Sequence, residues 1–228
     1  AALSYAGAMF DIDVQVWQVR TSYESKPYRR MLMDLYGGRC YSSPTMDTKA
    51  GRAMNEKFPG TTGSLGMAIS EAVEVALEDE KTHYTLGSVL NHVMLHQTII
   101  GEETLLQLKK FGEDQADYVF GCAGGGSNLA GLSFPFIREL IAGNCTTKIV
   151  AVEPASCPSM TEGEFRYDYG DVAHTTPLMK MYTMGADFVP DPIHAGGLRY
   201  HGMAPMVSHA HHLGLLQSIA LPQETTFK

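Results

Sequence analysis

The chain has 228 residues, 44% of them hydrophobic, and a formal net charge of −8. That apolar content is ample for one large or two small buried cores. The acidic balance argues against nucleic acid and anionic membrane surfaces as partners, and no apolar run approaches the roughly 20 residues that a bilayer span needs.

The four cysteines, Cys40, Cys122, Cys145 and Cys157, form no C-x-x-C pair, and a chain of this length needs no disulfide staples. Reduced thiols are the expectation. The segment "AALSYAGAMFDIDVQ" lacks the basic start and long apolar stretch of a signal peptide, so the expected location is the cytoplasm. Thirteen methionines suit adaptable core filling.

In chain order, "DVQVWQVR" (Asp13–Arg20) alternates with the period of a strand. "KPYRRMLMDLYGG" then places Tyr28, Met31, Leu32 and Leu35 on one side of a helix and ends in Gly37 and Gly38, a stop signal. "SLGMAISEAVEVALED" opens on Ser64, a capping residue, and spaces Leu65, Ile69, Ala72, Val73 and Ala76 helically. "VLNHVMLHQTIIGEETLLQLKKF" (Val89–Phe111) reads as one long, buried helix. "YVFGCA" (from Tyr118) and "KIVAVEP" (Lys148–Pro154) have the short apolar character of buried parallel strands. Strands alternating with helices predict an α/β fold with parallel sheets and flanking helices. From Pro154 to about Pro205 the periodicity fades, and aromatic content argues for ordered loops around a site rather than disorder. The densest part is "IHAGGLRYHG", with Gly196 and Gly197 beside His194, Arg199, Tyr200 and His201.

The segment that most constrains chemistry is "YVFGCAGGGSNLAGLSFPFIRELIAG". Gly124, Gly125 and Gly126 lie between a predicted strand and a predicted helix, and Ser127 and Asn128 follow as candidate N-caps. Three consecutive glycines permit positive φ and close approach of another molecule, at a cost in conformational entropy. A helix start offers unpaired N–H groups and partial positive charge, which suits a phosphate. An ordinary strand-to-helix turn is the alternative. Neither the Walker pattern nor G-x-G-x-x-G is present.

These residues resemble a known family. "GCAGGGSNLAGL" resembles the cofactor-phosphate loop of the tryptophan synthase β chains, which use pyridoxal phosphate. "RTSYESKPYRRMLMDLYGG", "GSLGMAISEAVE", "YTLGSVLNHVMLHQTIIGEE", "AVEPASCPSMTEGEFRYDYGD" and "PIHAGGLRYHGMAP" resemble its type 2 branch, and the likeness runs through the chain in order. The resemblance implies the type II pyridoxal-phosphate enzyme fold, two α/β domains with the cofactor between them, here incomplete at both ends. Residues 1–84 would belong to the mobile N-terminal domain and 85–228 to the domain that binds the cofactor phosphate. It implies that the N–H groups of Gly124, Gly125, Gly126, Ser127 and Asn128 hold the phosphate of pyridoxal 5'-phosphate. Gly197 and Ser64 are further candidate cofactor contacts, with plain helix capping the favoured alternative for Ser64. The reaction implied is β-replacement of L-serine, or of O-phosphoserine, with indole to give L-tryptophan, in a homodimer.

The resemblance also marks departures. The family's cofactor-anchoring lysine lies in a Ser-His-Lys stretch that would precede residue 1, and no His-Lys pair occurs in this sequence. The Gly-Ala-Gly-Gln motif around the substrate carboxylate and the later Gly/Ser-rich stretch at the pyridine nitrogen are likewise missing. The expectation is the middle portion of a β chain, inactive by itself, and the rival readings are a phosphate-binding module without turnover or a structural fragment.

Arg199 stands where the ordinary β chain carries aspartate. It is a candidate substrate contact that would clamp a carboxylate or phosphate; the alternative is a bracing ion pair with Asp187 or Asp191. His92 and His96 are spaced i, i+4 and are read as a buried or semi-buried helical pair, and "SHAHH" (His209, His211, His212) as a solvated face, in preference to metal sites.

Overall fold

The computed structural model describes residues 1–228, which divide into two compact units. The first comprises residues 1–84, 169–177 and 186–192; the second comprises residues 85–168, 178–185 and 193–228. The stretch from 85 onward is thus interrupted twice by segments that pack with the first unit.

In the first unit, α1 (Ala2–Phe10), β1 (Gln15–Val19), α2 (Arg20–Ser25), α3 (Pro27–Leu35), β2 (Arg39–Ser43), α4 (Lys49–Lys57) and α5 (Leu65–Leu77) follow in order. β1 and β2 pair in parallel from Gln15↔Arg39 to Val19↔Ser43. α3 starts on Pro27, whose missing N–H costs nothing there. It ends at Gly37, φ 75°, with Gly38 N–H donating back to the Met33 carbonyl at 2.9 Å, the two-glycine stop read from the sequence. The apolar side of α3 is a different matter. Tyr28, Met31, Leu32 and Leu35 are all exposed, and Met33 is the residue it buries. Met54, Met67 and Val172 form a core cluster with Ala50, Phe58 and Val189 packed against it.

Two buried carboxylates tie this unit together. Glu71 is wholly buried on α5 and accepts from Ser43 Oγ at 2.5 Å, Thr45 Oγ1 at 2.5 Å, Thr48 Oγ1 at 2.7 Å and Thr45 N–H at 3.0 Å. Asp171 accepts from Ser70 Oγ at 2.7 Å and from both the N–H and the hydroxyl of Thr175 and Thr176, at 2.7–2.9 Å. Burial alone would raise the Asp171 carboxyl, but these donors outweigh it and hold the group below the ordinary aspartate range. A carboxyl depressed by folding binds fewer protons folded than unfolded at acid pH. Its stabilisation is therefore complete above the unfolded value of about 4 and is lost as the pH falls through the lower, folded value. Asp171→Asn should lower stability at pH 7 and flatten that acid loss, as read by urea unfolding at a series of pH values.

The second unit contains α6 (Asn91–Gln97), α7 (Ile99–Lys110), β3 (Tyr118–Cys122), α8 (Ser127–Ile141), β4 (Lys148–Pro154), β5 (Glu164–Tyr169, its last residue in the first unit), β6 (Leu178–Thr183), a 3-10 turn (Gly196–Leu198), α9 (Pro205–His212), β7 (Gln217–Leu221) and α10 (Gln223–Thr226). Its main sheet is parallel in the order β3-β4-β7, and β5 and β6 form a separate two-stranded sheet. β3 lies at an edge rather than inside the sheet. Val119 and Gly121 are buried, with Leu129 of α8 against Gly121, while Tyr118 and Phe120 are exposed, Phe120 to 60%. The long helix expected over Val89–Phe111 is two helices joined at Thr98, and much of it is exposed, including Leu95, Ile99, Ile100 and Leu106. Both pack on α8 through small residues: a Cβ on Gly131 would lie 2.6 Å from Gln97 Cβ, and one on Gly101 would lie 2.7 Å from Pro135 Cγ. Close approach at two separate points favours two short helices over one straight rod. The expected loops between Pro154 and Pro205 contain β5 and β6, whose sequences EFRYDY and LMKMYT mix charged, aromatic and apolar residues without strict alternation. No helix is long and apolar enough to cross a membrane.

Candidate functional site

The glycine run leaves β3 through Ala123, whose N–H still bonds to the Val152 carbonyl of β4 at 2.8 Å, and enters α8 at Ser127. The residue that caps α8 is Gly126, in the left-handed region at φ 100°, with no side-chain cap bond. Ser127 and Asn128 are therefore the first two helical residues and not the N-caps expected from their chemistry. The reason is steric: the loop must turn through positive φ to meet the helix, and glycine does this without strain.

Each glycine is held from its side-chain side by a different segment. A Cβ on Gly124 would overlap the Gly197 carbonyl oxygen and lie 2.9 Å from Leu198 Cα. One on Gly125 would lie 2.8 Å from Val89 Cγ2 and 3.0 Å from Ser88 Oγ. One on Gly126 would lie 2.6 Å from Met203 Sδ and 3.2 Å from Val207 Cγ2. Two carbonyls on this loop are used: Gly125 accepts from Ala204 N–H at 3.0 Å and Gly126 from Ala130 N–H at 2.9 Å. The N–H groups of Gly124, Gly125, Gly126, Ser127 and Asn128 donate to no main-chain carbonyl. Side-chain volume is thus excluded at all three glycines, and the loop's main-chain donors without a carbonyl partner lie at the positive end of a 15-residue helix. Such a set of donors can accept an anion with several oxygens, the chemistry of a phosphate monoester.

Of the other predicted residues, Gly197 meets this loop through its carbonyl, and nothing crowds its own side-chain side. Arg199, two residues on, is buried at 6% exposure, and burial lowers its affinity for the proton. Asp187 is engaged by Lys57 at 2.6 Å. Cys157 donates to the Tyr200 carbonyl at 3.1 Å, and burial, with the neighbouring Glu153 charge, pushes its thiol up to about 12. Ser64 lies in the first unit and caps α5, its Oγ accepting from Met67 N–H at 3.3 Å. His92 and His96 are exposed rather than buried. In the "SHAHH" run, His209 and His212 are exposed, but His211 is half-buried: it packs edge-on against Tyr182, and its Nε2 lies 2.9 Å from Ser218 Oγ. His212 stacks on Phe165. Ser88, Val89, Met203 and Val207, which brace the glycines, carried no signal in the sequence, since contacts at that separation have no local pattern.

A family profile described as pyridoxal-phosphate dependent enzyme matches residues 1–202. The tryptophan synthase beta chain of Fervidobacterium nodosum is 53% identical over 228 residues, covering 100% of this chain and 54% of that protein. The tryptophan synthase beta chain 2 of Methanothermobacter thermautotrophicus is 51% identical over 227 residues, covering 53% of its length. That of Thermotoga maritima is 51% identical over 228 residues, covering 54%. The chain spans about half the length of these curated relatives. Among solved structures, a threonine deaminase from T.th. superposes with a TM-score of 0.59 at 18% identity over 99% of this chain and 59% of its own. A cysteine synthase from Entamoeba histolytica gives 0.54 at 17% identity over 98% of this chain and 50% of its own. Those two likenesses concern the fold: α/β, with parallel sheets flanked by helices, as in type II pyridoxal-phosphate enzymes. With the profile covering most of the chain and relatives at half identity along all of it, this chain belongs to the pyridoxal-phosphate dependent enzyme family.

Proposed function

We propose that this chain is the phosphate-holding portion of a tryptophan synthase β-type lyase, which replaces the β-substituent of L-serine or O-phosphoserine with indole to give L-tryptophan. The observation that carries the reading is the row of unpaired N–H groups from Gly124 to Asn128, braced behind by three segments of the same unit. In this reading those groups bind and orient the phosphate of pyridoxal 5'-phosphate, with Gly197 fixing the position of Gly124. Bound there, the cofactor supplies an electron sink for chemistry at the α-carbon of an amino acid. The buried Arg199 guanidinium offers a charged partner to the carboxylate or phosphate of the donor substrate. Ser64 serves as the cap of α5, with any cofactor contact secondary. Residues 1–84 are assigned to the mobile domain and 85–228 to the cofactor domain of a cytoplasmic homodimer.

A second reading is favoured by one observation. None of the nine lysines is buried: Lys26 is half-buried and the rest are exposed. No lysine is therefore enclosed within the chain as a covalent cofactor anchor would be. The 228-residue chain by itself is expected to bind the cofactor reversibly and not turn over. Calorimetric titration with pyridoxal phosphate and with pyridoxal should show a preference of about tenfold or more for the phosphorylated form, through charge-assisted N–H bonds. The bound cofactor should leave on dialysis, with tryptophan formation from serine and indole at background. Equal affinity for the two forms overturns the cradle; turnover above background overturns the non-catalytic reading.

A further inference from the structure

Of the three non-glycine residues with positive φ, Asp11, Val89 and His174, only Val89 (φ 68°) is β-branched, the type for which this region is most strained. The Leu90 N–H donates to the Ser88 carbonyl at 2.7 Å, across a single residue. A bond from i to i+2 around a positive φ is the rare form of the γ-turn. Glycine or asparagine would fill such a turn more easily. Yet Val89 is 1% exposed, and its Cγ2 presses on Gly125 at the position a Cβ would take. The turn is anchored at its far end, because the Leu90 carbonyl accepts from Val93 and Met94 and so opens α6. Gly125 is also held by its carbonyl, which accepts from Ala204 N–H at 3.0 Å. The strained residue is therefore one jaw of a clamp on the central glycine of the loop.

We propose that the Ser88–Val89–Leu90 turn is a positioning element for the anion cradle. By fixing Gly125 against Ala204, Val89 keeps the N–H groups of the loop at the spacing that a phosphate requires. This rests on the reading of Gly124–Asn128 as a phosphate site. A turn that merely began α6 would not need a branched side chain in a conformation that penalises it. The clamp does, because smaller side chains would leave a gap beside a glycine that has no side chain to fill it.

The test uses the 228-residue chain and three probes, inorganic phosphate, pyridoxal phosphate and pyridoxal, each titrated calorimetrically. Val89→Ala should weaken phosphate and pyridoxal phosphate about tenfold or more while leaving pyridoxal within about twofold, as expected when a binding group is displaced by a fraction of an ångström. Val89→Gly, whose backbone is at ease at this φ, should fold with the same phosphate-specific loss, which separates positioning from general destabilisation. Val89→Thr keeps the branched shape and should retain affinity within about threefold. If the wild type prefers the phosphorylated probe and Val89→Ala and Val89→Gly keep that preference, the positioning role is overturned and the cradle stands. If the wild type shows no such preference, the cradle itself is overturned and the positioning role falls with it.

Discussion

Gly124→Ala should lose phosphate-dependent binding by about a hundredfold or more, equivalent to roughly 2.7 kcal/mol. The added methyl would overlap the Gly197 carbonyl oxygen and crowd Leu198 Cα. Both are main-chain atoms, so no rotamer change relieves the contact and one of the two segments must shift. The N–H groups of Gly124 and Gly125 shift with the loop, and cradle geometry is lost. Overpacking of this kind also costs about 1–3 kcal/mol of stability. Cys145→Ala is the control: this half-buried thiol makes only a 3.8 Å contact to the Phe136 carbonyl at the other end of α8. Titration with pyridoxal phosphate and thermal unfolding of both variants check the pair. Wild-type affinity in Gly124→Ala would show that the loop does not hold the ligand.

Glu71→Ala should be the most damaging single change to the first unit, about 3–5 kcal/mol in stability. The carboxylate collects three hydroxyl donors and one N–H from a stretch that leads from β2 into α4, and Thr48 among them also caps α4 by accepting from Gly51 N–H at 2.9 Å. Removing it leaves four donors without that acceptor, those of Ser43 and Thr48 buried and the two of Thr45 half-buried, and a void in a packed core. The midpoint of thermal unfolding should fall by about 10 °C or more, as expected for a domain of this size. Glu71→Gln keeps one acceptor oxygen and should cost clearly less. Circular dichroism melts of the three proteins decide the matter, and equal midpoints would mean that the network contributes nothing net. Phosphate binding is measured alongside, because the loop and its braces lie wholly in the second unit.

Much of the fold was legible wherever local chemistry and final structure agree. The strand-glycine-helix order around Gly124–Gly126, the two-glycine stop of α3 and the Ser64 cap of α5 all follow from periodicity, capping and turn chemistry within about twenty residues. Those signals are local because they reflect the φ/ψ preferences and hydrogen-bonding needs of the residues themselves. The glycine run and the segments that resemble tryptophan synthase β chains likewise identified the family from sequence alone.

What only the tertiary structure decided is non-local. Gly126 rather than Ser127 caps α8, because the loop must approach Met203 and Val207 while turning through φ 100°. The apolar side of α3 is exposed, because hydrophobic spacing reports an apolar side and does not determine whether the chain covers it. The break at Thr98 reflects two separate close approaches to α8, at Gly131 and Gly101. The strained turn at Val89 has no sequence signature, since valine is among the residues least suited to it; only contact with Gly125, 36 positions away, accounts for it. Sequence thus determined which backbone would be bare and that a helix would follow it. Packing between segments distant in the chain decided how closely each of those glycines is enclosed, at Gly197, Val89 and Met203.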